Sequence, residues 1–398
     1  MTRRAGVIVA VAAAAGWGCQ DIVSAPGVCP EFCPEGEIRV VDTLLTGVEP
    51  VGSYTGYLLP HEARQMQVVG PGGPTESRAL LVSISMNARY AGGDTTVRDS
   101  IIQTDSLSVR LNIVRRNAGV SGVTLAFHEI PLTPDSATTY GDMTPYFQDS
   151  TLVATLQVPD SLVKDTLSVT FPAAALRHFG PDTLQVGIGV RIVSPEPAFV
   201  TVASDTIAPA ALIRRFVQVD SSTGTTRVTR SDTWGIRFRT FVVDPGGIPS
   251  PVGLTVGGAT GARGFVKLNL PGFIVDSTLV VRATLLLPAT QPVFGAPGDT
   301  FSVRVVALGS DFGPKSPVAD TSFGGTVRVA VGGSDTVAVD ITRIFALWRG
   351  NAAVPRTVMV QVEPEAASIN TLELPGQGSA TPAAIRVTYA PPFRLPGS

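Results

Sequence analysis

Apolar and polar residues alternate with a period of two along much of this chain. Leu107, Val109, Leu111 and Ile113 alternate with Ser108, Arg110 and Asn112. Leu184, Val186, Ile188, Val190 and Ile192 alternate with Gln185, Gly187, Gly189 and Arg191. The same rhythm recurs over 266–270, 301–305 and 358–362. A strand sends successive side chains to opposite faces, so each run predicts a strand with one face inward and one toward water. That is the pattern of antiparallel sheets solvated on one side. Asp-Thr or Asp-Ser pairs stand just before such runs, at Asp105, Asp165, Asp182, Asp276, Asp299 and Asp335. Their short polar side chains bond to nearby backbone and suit the turns that feed strands.

The strand pattern is repeated within the chain. Asp165-Thr-Leu-Ser-Val-Thr170 matches Asp335-Thr-Val-Ala-Val-Asp340. Each predicts a strand leading into a short helix, over 172–179 in the first copy and 341–349 in the second. Pro172 suits a helix start, where its missing N–H costs nothing. Asp340 suits an N-cap. Ile341, Ile344, Phe345 and Trp348 then share one helical face. A long alternating strand follows in each copy, and each closes with Pro-Ala-Ala and a strand, at Pro209–Leu212 and Pro382–Ile385. A period of about 170 residues indicates a duplicated domain rather than a solenoid. The small polar run Asp220–Thr226 is the expected boundary. The fold class expected is all-β: two tandem antiparallel domains, 37–220 and 221–398, each with one short helix.

The second copy carries further motifs. Arg263-Gly-Phe-Val-Lys-Leu-Asn-Leu270 and Ala283-Thr-Leu-Leu-Leu287 are followed by Val339-Asp-Ile-Thr342, Trp348 and Pro382-Ala-Ala-Ile-Arg-Val-Thr-Tyr389. This order resembles the bacterial surface modules called DNRLRE domains, which are related to a group of carbohydrate-binding modules. The resemblance covers most of 255–390 and, more loosely, 75–219. It implies a jelly-roll β-sandwich of secreted, often multidomain proteins.

The N-terminus changes where such a protein is expected to work. Arg3 and Arg4 form a positive start, and Ala5–Gly16 is an apolar stretch too short to span a bilayer. Gly18-Cys19 then stands where a lipid-modified cysteine is expected, making 1–18 a lipoprotein signal peptide. An ordinary secretory signal cut nearby and an uncleaved apolar anchor are the alternatives. Gln20 after the cysteine favours outer-membrane sorting. Lipidation of Cys19 leaves Cys29 and Cys33 as an even pair, and an oxidising compartment would let them close a small disulfide loop in the tether, 19–36. Two free or intermolecular thiols are the alternative. The expected location is the cell envelope, lipid-anchored, otherwise periplasmic or secreted.

Composition narrows the function classes. The chain is 44% hydrophobic and 16% charged, which places it among globular rather than disordered chains. A net charge of −2 gives no electrostatic case for nucleic acid. The three histidines, His61, His128 and His178, come with no HExxH, GxSxG, P-loop or dinucleotide fingerprint. Carboxylate pairs such as Asp94–Asp99 and Asp135–Asp142 could in principle hydrolyse glycosides, but Asp occurs in nearly every turn. The expectation is a non-catalytic protein without a cofactor, a polysaccharide-active enzyme being the lesser alternative. Calcium held by loop aspartates is a further alternative, with no regular ligand spacing behind it. Sugar binding would need exposed flat rings. Trp234 and Trp348 are in phase with apolar neighbours and read as core. Tyr140, Tyr146 and Phe147, in a turn-rich segment, are the first candidates, followed by Tyr54 and Tyr57. The expected partner beyond the membrane is a polysaccharide or another envelope protein.

Overall fold

The computed structural model describes residues 40–91, 98–180, 184–204, 211–220 and 227–391. The signal segment, Cys19, Cys29 and Cys33 lie outside the described residues. The chain is built of antiparallel strands. The first ten are β1 (Val41–Leu45), β2 (Val48–Tyr54), β3 (Gln65–Val69), β4 (Ser77–Ser83), β5 (Arg89–Ala91), β6 (Arg98–Arg116), β7 (Thr124–Glu129), β8 (Leu152–Gln157), β9 (Asp165–Pro172) and β10 (Gly187–Val193). Then come β11 (Phe199–Ala203), β12 (Leu212–Asp220), β13 (Arg227–Trp234), β14 (Ile236–Val243), β15 (Leu254–Gly257), β16 (Arg263–Leu268), β17 (Leu279–Leu287) and β18 (Thr300–Ala307). The last five are β19 (Gly325–Ala330), β20 (Val337–Asp340), β21 (Thr357–Glu363), β22 (Thr371–Leu374) and β23 (Ala384–Ala390). Among the described residues three short helices interrupt them: α1 (Tyr140–Met143), α2 (Gly272–Asp276) and α3 (Thr342–Gly350).

Pairing repeats strand for strand between the two halves. β4 pairs β10, β7 lies between β10 and β8, and β6 lies between β9 and β12. Correspondingly, β16 pairs β21, β18 lies between β21 and β19, and β17 lies between β20 and β23. The short pair β3–β11 has its counterpart in β15–β22. Each half is therefore a sandwich of two antiparallel sheets. In the first, β3 and β11 join the two sheets into one curled path. The inward residues of the long alternating runs meet in its core: Leu107, Leu111 and Ile113 from β6 face Leu81 from β4, Phe127 from β7 and Ile188 from β10. Burying a side chain of this kind is worth about 1.5–3 kcal/mol.

Sheet membership does not divide at 220/221. The consecutive strands β13 and β14 hydrogen-bond to β12 and β4 respectively, completing the first sandwich. β1 and β2, the first described strands, take the equivalent places beside β23 and β16 in the second. The second sandwich thus holds both ends of the described chain. Residues 42–398 accordingly form one compact unit. Asp42 of β1 accepts from Arg386 of β23 at 2.6 and 2.9 Å, and those bonds hold its carboxyl below the usual range.

A buried polar knot joins the sandwiches. Asp299 accepts hydrogen bonds from Gln67 and Asn370, each at 2.7 Å, and pairs with Arg115 at 2.7 Å. The Gln67 side-chain oxygen in turn accepts the Ile369 N–H at 3.0 Å. Gln67 and Arg115 lie on β3 and β6, while Asp299 and Asn370 belong to the second half.

The helix expected in the second copy forms. Ile341, Ile344, Phe345 and Trp348 are buried, and Trp348 Nε1 donates to the Pro355 carbonyl at 3.0 Å. Asp340 accepts the Thr342 N–H at 2.8 Å, one residue ahead of the position for a cap. The helix expected over 172–179 does not form. The strand runs through Pro172 and ends in a single 3-10 turn, Ala173–Ala175. That stretch lacks the apolar stripe by which the second copy's helix docks.

Candidate functional site

The turn-rich segment after β7 folds back over the outer face of the first sandwich. Thr139 caps α1 reciprocally with Asp142: its hydroxyl accepts the Asp142 N–H at 3.3 Å, and Asp142 accepts the Thr139 N–H at 2.9 Å. These bonds from Thr139 lower the Asp142 pKa. Pro145 sits at the start of the 3-10 turn Thr144–Tyr146, where its fixed φ fits. That turn sends two adjacent aromatics in opposite directions.

Phe147 goes inward. Only 5% of it is exposed, and it packs with Leu80, Ile130, Met143 and Val242. Its ring lies over Gly189, where a Cβ would come within 2.5 Å of Cζ. The Arg78 guanidinium lies 4.6 Å from the Phe147 centroid and 4.2 Å from that of Tyr140, a cation–π sandwich. Arg78 also donates to the Tyr140 hydroxyl and pairs with Glu76 at 2.9 Å. Burial, with Glu76 close by, pushes the Tyr140 phenol well above its usual range. Of the three aromatics expected to present faces to a ligand, Phe147 is interior and Tyr140 is a half-buried packing residue. A flexible loop would leave both exposed; here the capping box and the gap above Gly189 hold the segment down.

Tyr146 goes outward, 37% exposed, and lines a groove of about 620 Å³. Glu129, at the end of β7, sits in this groove with its side chain only 8% exposed. Its two oxygens accept the backbone N–H groups of Arg177 and His178, both at 2.9 Å. The His178 ring, 82% exposed, stands 3.2 Å from the same carboxylate. Pro131, Leu132, Pro145 and Val186 supply apolar wall, and Gln185 adds an amide. The groove therefore combines a flat ring and apolar surface with charged and amide hydrogen-bonding groups. Its volume is in the range typical of small-ligand sites. Neither Glu129 nor Gln185 stood out in the sequence. Glu129 is one more polar residue at a strand end, and it meets the 177–178 backbone only through the fold.

The other candidates are tied into the structure. Tyr54 on β2 packs edge-on against Phe265, with centroids 5.1 Å apart. The Tyr57 hydroxyl donates to the Pro314 carbonyl at 2.6 Å, and Arg263 stacks 4.0 Å over its ring while pairing with Glu365. Burial raises the Tyr57 pKa. Both are half-buried pins between β1–β2 and the second sandwich. Trp234 packs partly buried on the first core, with Arg215 5.6 Å from its ring. His61 stacks on Phe238. His128 is fully buried beside Phe147, its Nδ1 3.1 Å from the Thr151 hydroxyl. Burial, with Arg191 nearby, pulls its pKa down to about 4. Among the described residues, no group of three or more His, Cys, Asp or Glu is placed to hold a metal ion. No helix among them is long and apolar enough to cross a membrane.

No protein-family model matches the chain, and no curated protein matches it.

Proposed function

We propose that this is a non-catalytic binding protein of the cell envelope, tethered by a lipid on Cys19, that holds polysaccharide in the groove beside Tyr146. The observation that carries this reading is the groove itself: an exposed tyrosine ring and apolar wall set beside a buried carboxylate, an imidazole and an amide. A sugar ring has an apolar face of C–H groups and an edge of hydroxyls, so it matches both surfaces at once. The reading of the repeat as a DNRLRE-like, carbohydrate-binding-module-like sandwich fits the same role.

The test is calorimetric titration of the protein with soluble polysaccharides, comparing wild type with Tyr146→Ala and His178→Ala. Both positions are exposed, so both variants should stay folded, as melting curves would check. Binding that falls at least tenfold in Tyr146→Ala supports the reading; binding that ignores both substitutions sinks it.

A scaffold role without glycan is the second reading. It is favoured by an exposed apolar group on the second sandwich: Phe273, Leu279 and Val281 are each more than half exposed, and Phe273 lies against Tyr389. Co-purification of envelope proteins that is lost in Leu279→Ser/Val281→Ser, with no glycan bound, would select it.

A further inference from the structure

A second cavity, of about 340 Å³, lies against the first groove on the same sandwich. Leu176 and Phe179 line both cavities. The chain segment carrying them is therefore a ridge with a cavity on either flank. The ridge is fixed from below, because Glu129 accepts the two backbone N–H groups of Arg177 and His178 at 2.9 Å. Hydrogen bonds to a charged acceptor are the stronger kind.

The far cavity also sets apolar wall beside polar groups. Ile102, 40% exposed, and Ala174 give it apolar wall, and Gln103 and Thr104 give it polar groups. Arg215 also lines it, held by Asp232 at 2.6 and 3.1 Å and by the Asn87 carbonyl at 3.0 Å. Arg215 is fully buried, so its guanidinium is fixed in place. The near groove offers no free sheet edge in its floor, since β7 and β10 are paired on both sides. An extended peptide could not add here as a strand, which removes the commonest backbone-driven mode of peptide capture.

We infer that the two cavities are adjacent subsites of one cleft, and that the ligand is a linear oligosaccharide chain crossing the Leu176–Phe179 ridge. This rests on the polysaccharide reading above and adds to it that the sandwich binds chain segments rather than single sugars. Each subsite contacts its own stretch of the chain, so a ligand long enough to reach both gains the contacts of the second while most of its ordering cost is already met by the first.

The experiment titrates the full chain with dimers and hexamers of four glycans, cello-, xylo-, chito- and alginate oligomers, and with a proline decamer. Two variants accompany the wild type. Tyr146→Ala removes the near wall, and Ile102→Glu fills the far cavity from an exposed position that should not disturb folding. The expected result is that one hexamer series binds at least tenfold tighter than its dimer. Ile102→Glu should bring hexamer affinity down to that of the dimer and leave dimer binding alone, while Tyr146→Ala should weaken both. Equal dimer and hexamer affinities, or a hexamer indifferent to Ile102→Glu, would overturn the two-subsite inference while leaving polysaccharide binding intact. Binding of the proline decamer alone, or of no probe at all, would overturn the polysaccharide reading and this inference with it.

Discussion

Gln67 and Asp299 are 232 positions apart in the chain, yet the Gln67 side-chain amide donates to the Asp299 carboxylate at 2.7 Å across the seam of the two sandwiches. The same carboxylate takes the Asn370 amide and faces Arg115. Gln67 also accepts the Ile369 N–H, so it uses both ends of its amide to bridge. The seam is held by hydrogen bonds whose geometry admits one arrangement of the two bodies.

Asp299→Ala is therefore expected to be severe. It leaves Gln67 and Asn370 without their acceptor in a buried site and removes the ion pair of Arg115, which keeps its bond to the Thr300 carbonyl. A buried donor left unpaired costs about 1–3 kcal/mol, and here two are left. Gln67→Ala should cost less, about 1–3 kcal/mol. Urea denaturation of the two single variants and the double variant tests the link. Losses that simply add would show that the two residues do not act as a unit.

Gly189→Ala is expected to expel the Phe147 ring or push β10 aside, since the added methyl would come within 2.5 Å of that ring. Overpacking of this kind costs about 1–3 kcal/mol. Gly235→Ala, where a Cβ meets nothing within 4 Å, is the control and should be close to neutral. A Gly189→Ala melting curve that overlays the control would contradict the plug.

His128 makes the first sandwich sensitive to acid. Burial holds its folded pKa down at about 4, against the ordinary histidine value of 6.5. The unfolded chain therefore binds the proton first. This residue's contribution is complete above about pH 6.5 and declines as pH falls toward 4, with a slope of up to about 1.4 kcal/mol per pH unit. His128→Gln should flatten that part of the stability–pH curve, whatever it does to stability at pH 7. Parallel curves for the two proteins would show that His128 is not the titrating group.

The end strands predict a permutant. Residues 221–226 connect β12 to β13 in the first sandwich, while the equivalent strands β23 and β1 of the second are the last and first of the described strands. Joining residue 391 to residue 40 through a loop of that length, with new ends at the exposed Thr55–Gly56, should give a folded protein of similar melting temperature. Deleting 40–54 instead should unfold the second sandwich by baring β16 and β23. Proteolysis patterns distinguish the cases; a deletion as resistant as wild type would mean that β1 and β2 are dispensable.

Lipidation is read at the intact-mass level. Membrane-fraction protein should show cleavage before Cys19 with added acyl chains, and Cys19→Ala should lose both. A lipid-free, soluble wild-type protein would remove the tether from the proposed function.

Local pattern told much of this fold in advance. Alternation at 107–113, 184–192 and 358–362 marks strands because their inner faces must be apolar, and the duplicated motifs carry through to duplicated pairings. The helix at 342–350 was legible because Ile344, Phe345 and Trp348 form a stripe. What escaped is non-local. Nothing in 48–54 or 236–243 indicates which sheet edge will accept them, since any antiparallel edge offers the same backbone groups. The site failed in the same way. Tyr146 and Phe147 look equivalent in sequence, and only a turn that points one at solvent and the other at Gly189 separates them. Glu129 gains its place by meeting a backbone segment nearly fifty positions later.

The position of β1–β2 also orders events in time. Synthesis proceeds from the N-terminus, so β3 to β14 can associate while the rest of the chain is still being made. β1 and β2, which emerge before them, have no partner at that stage, because β16 and β23 do not yet exist. β2 must wait for β16, and β1 for β23. The second sandwich therefore closes after the first.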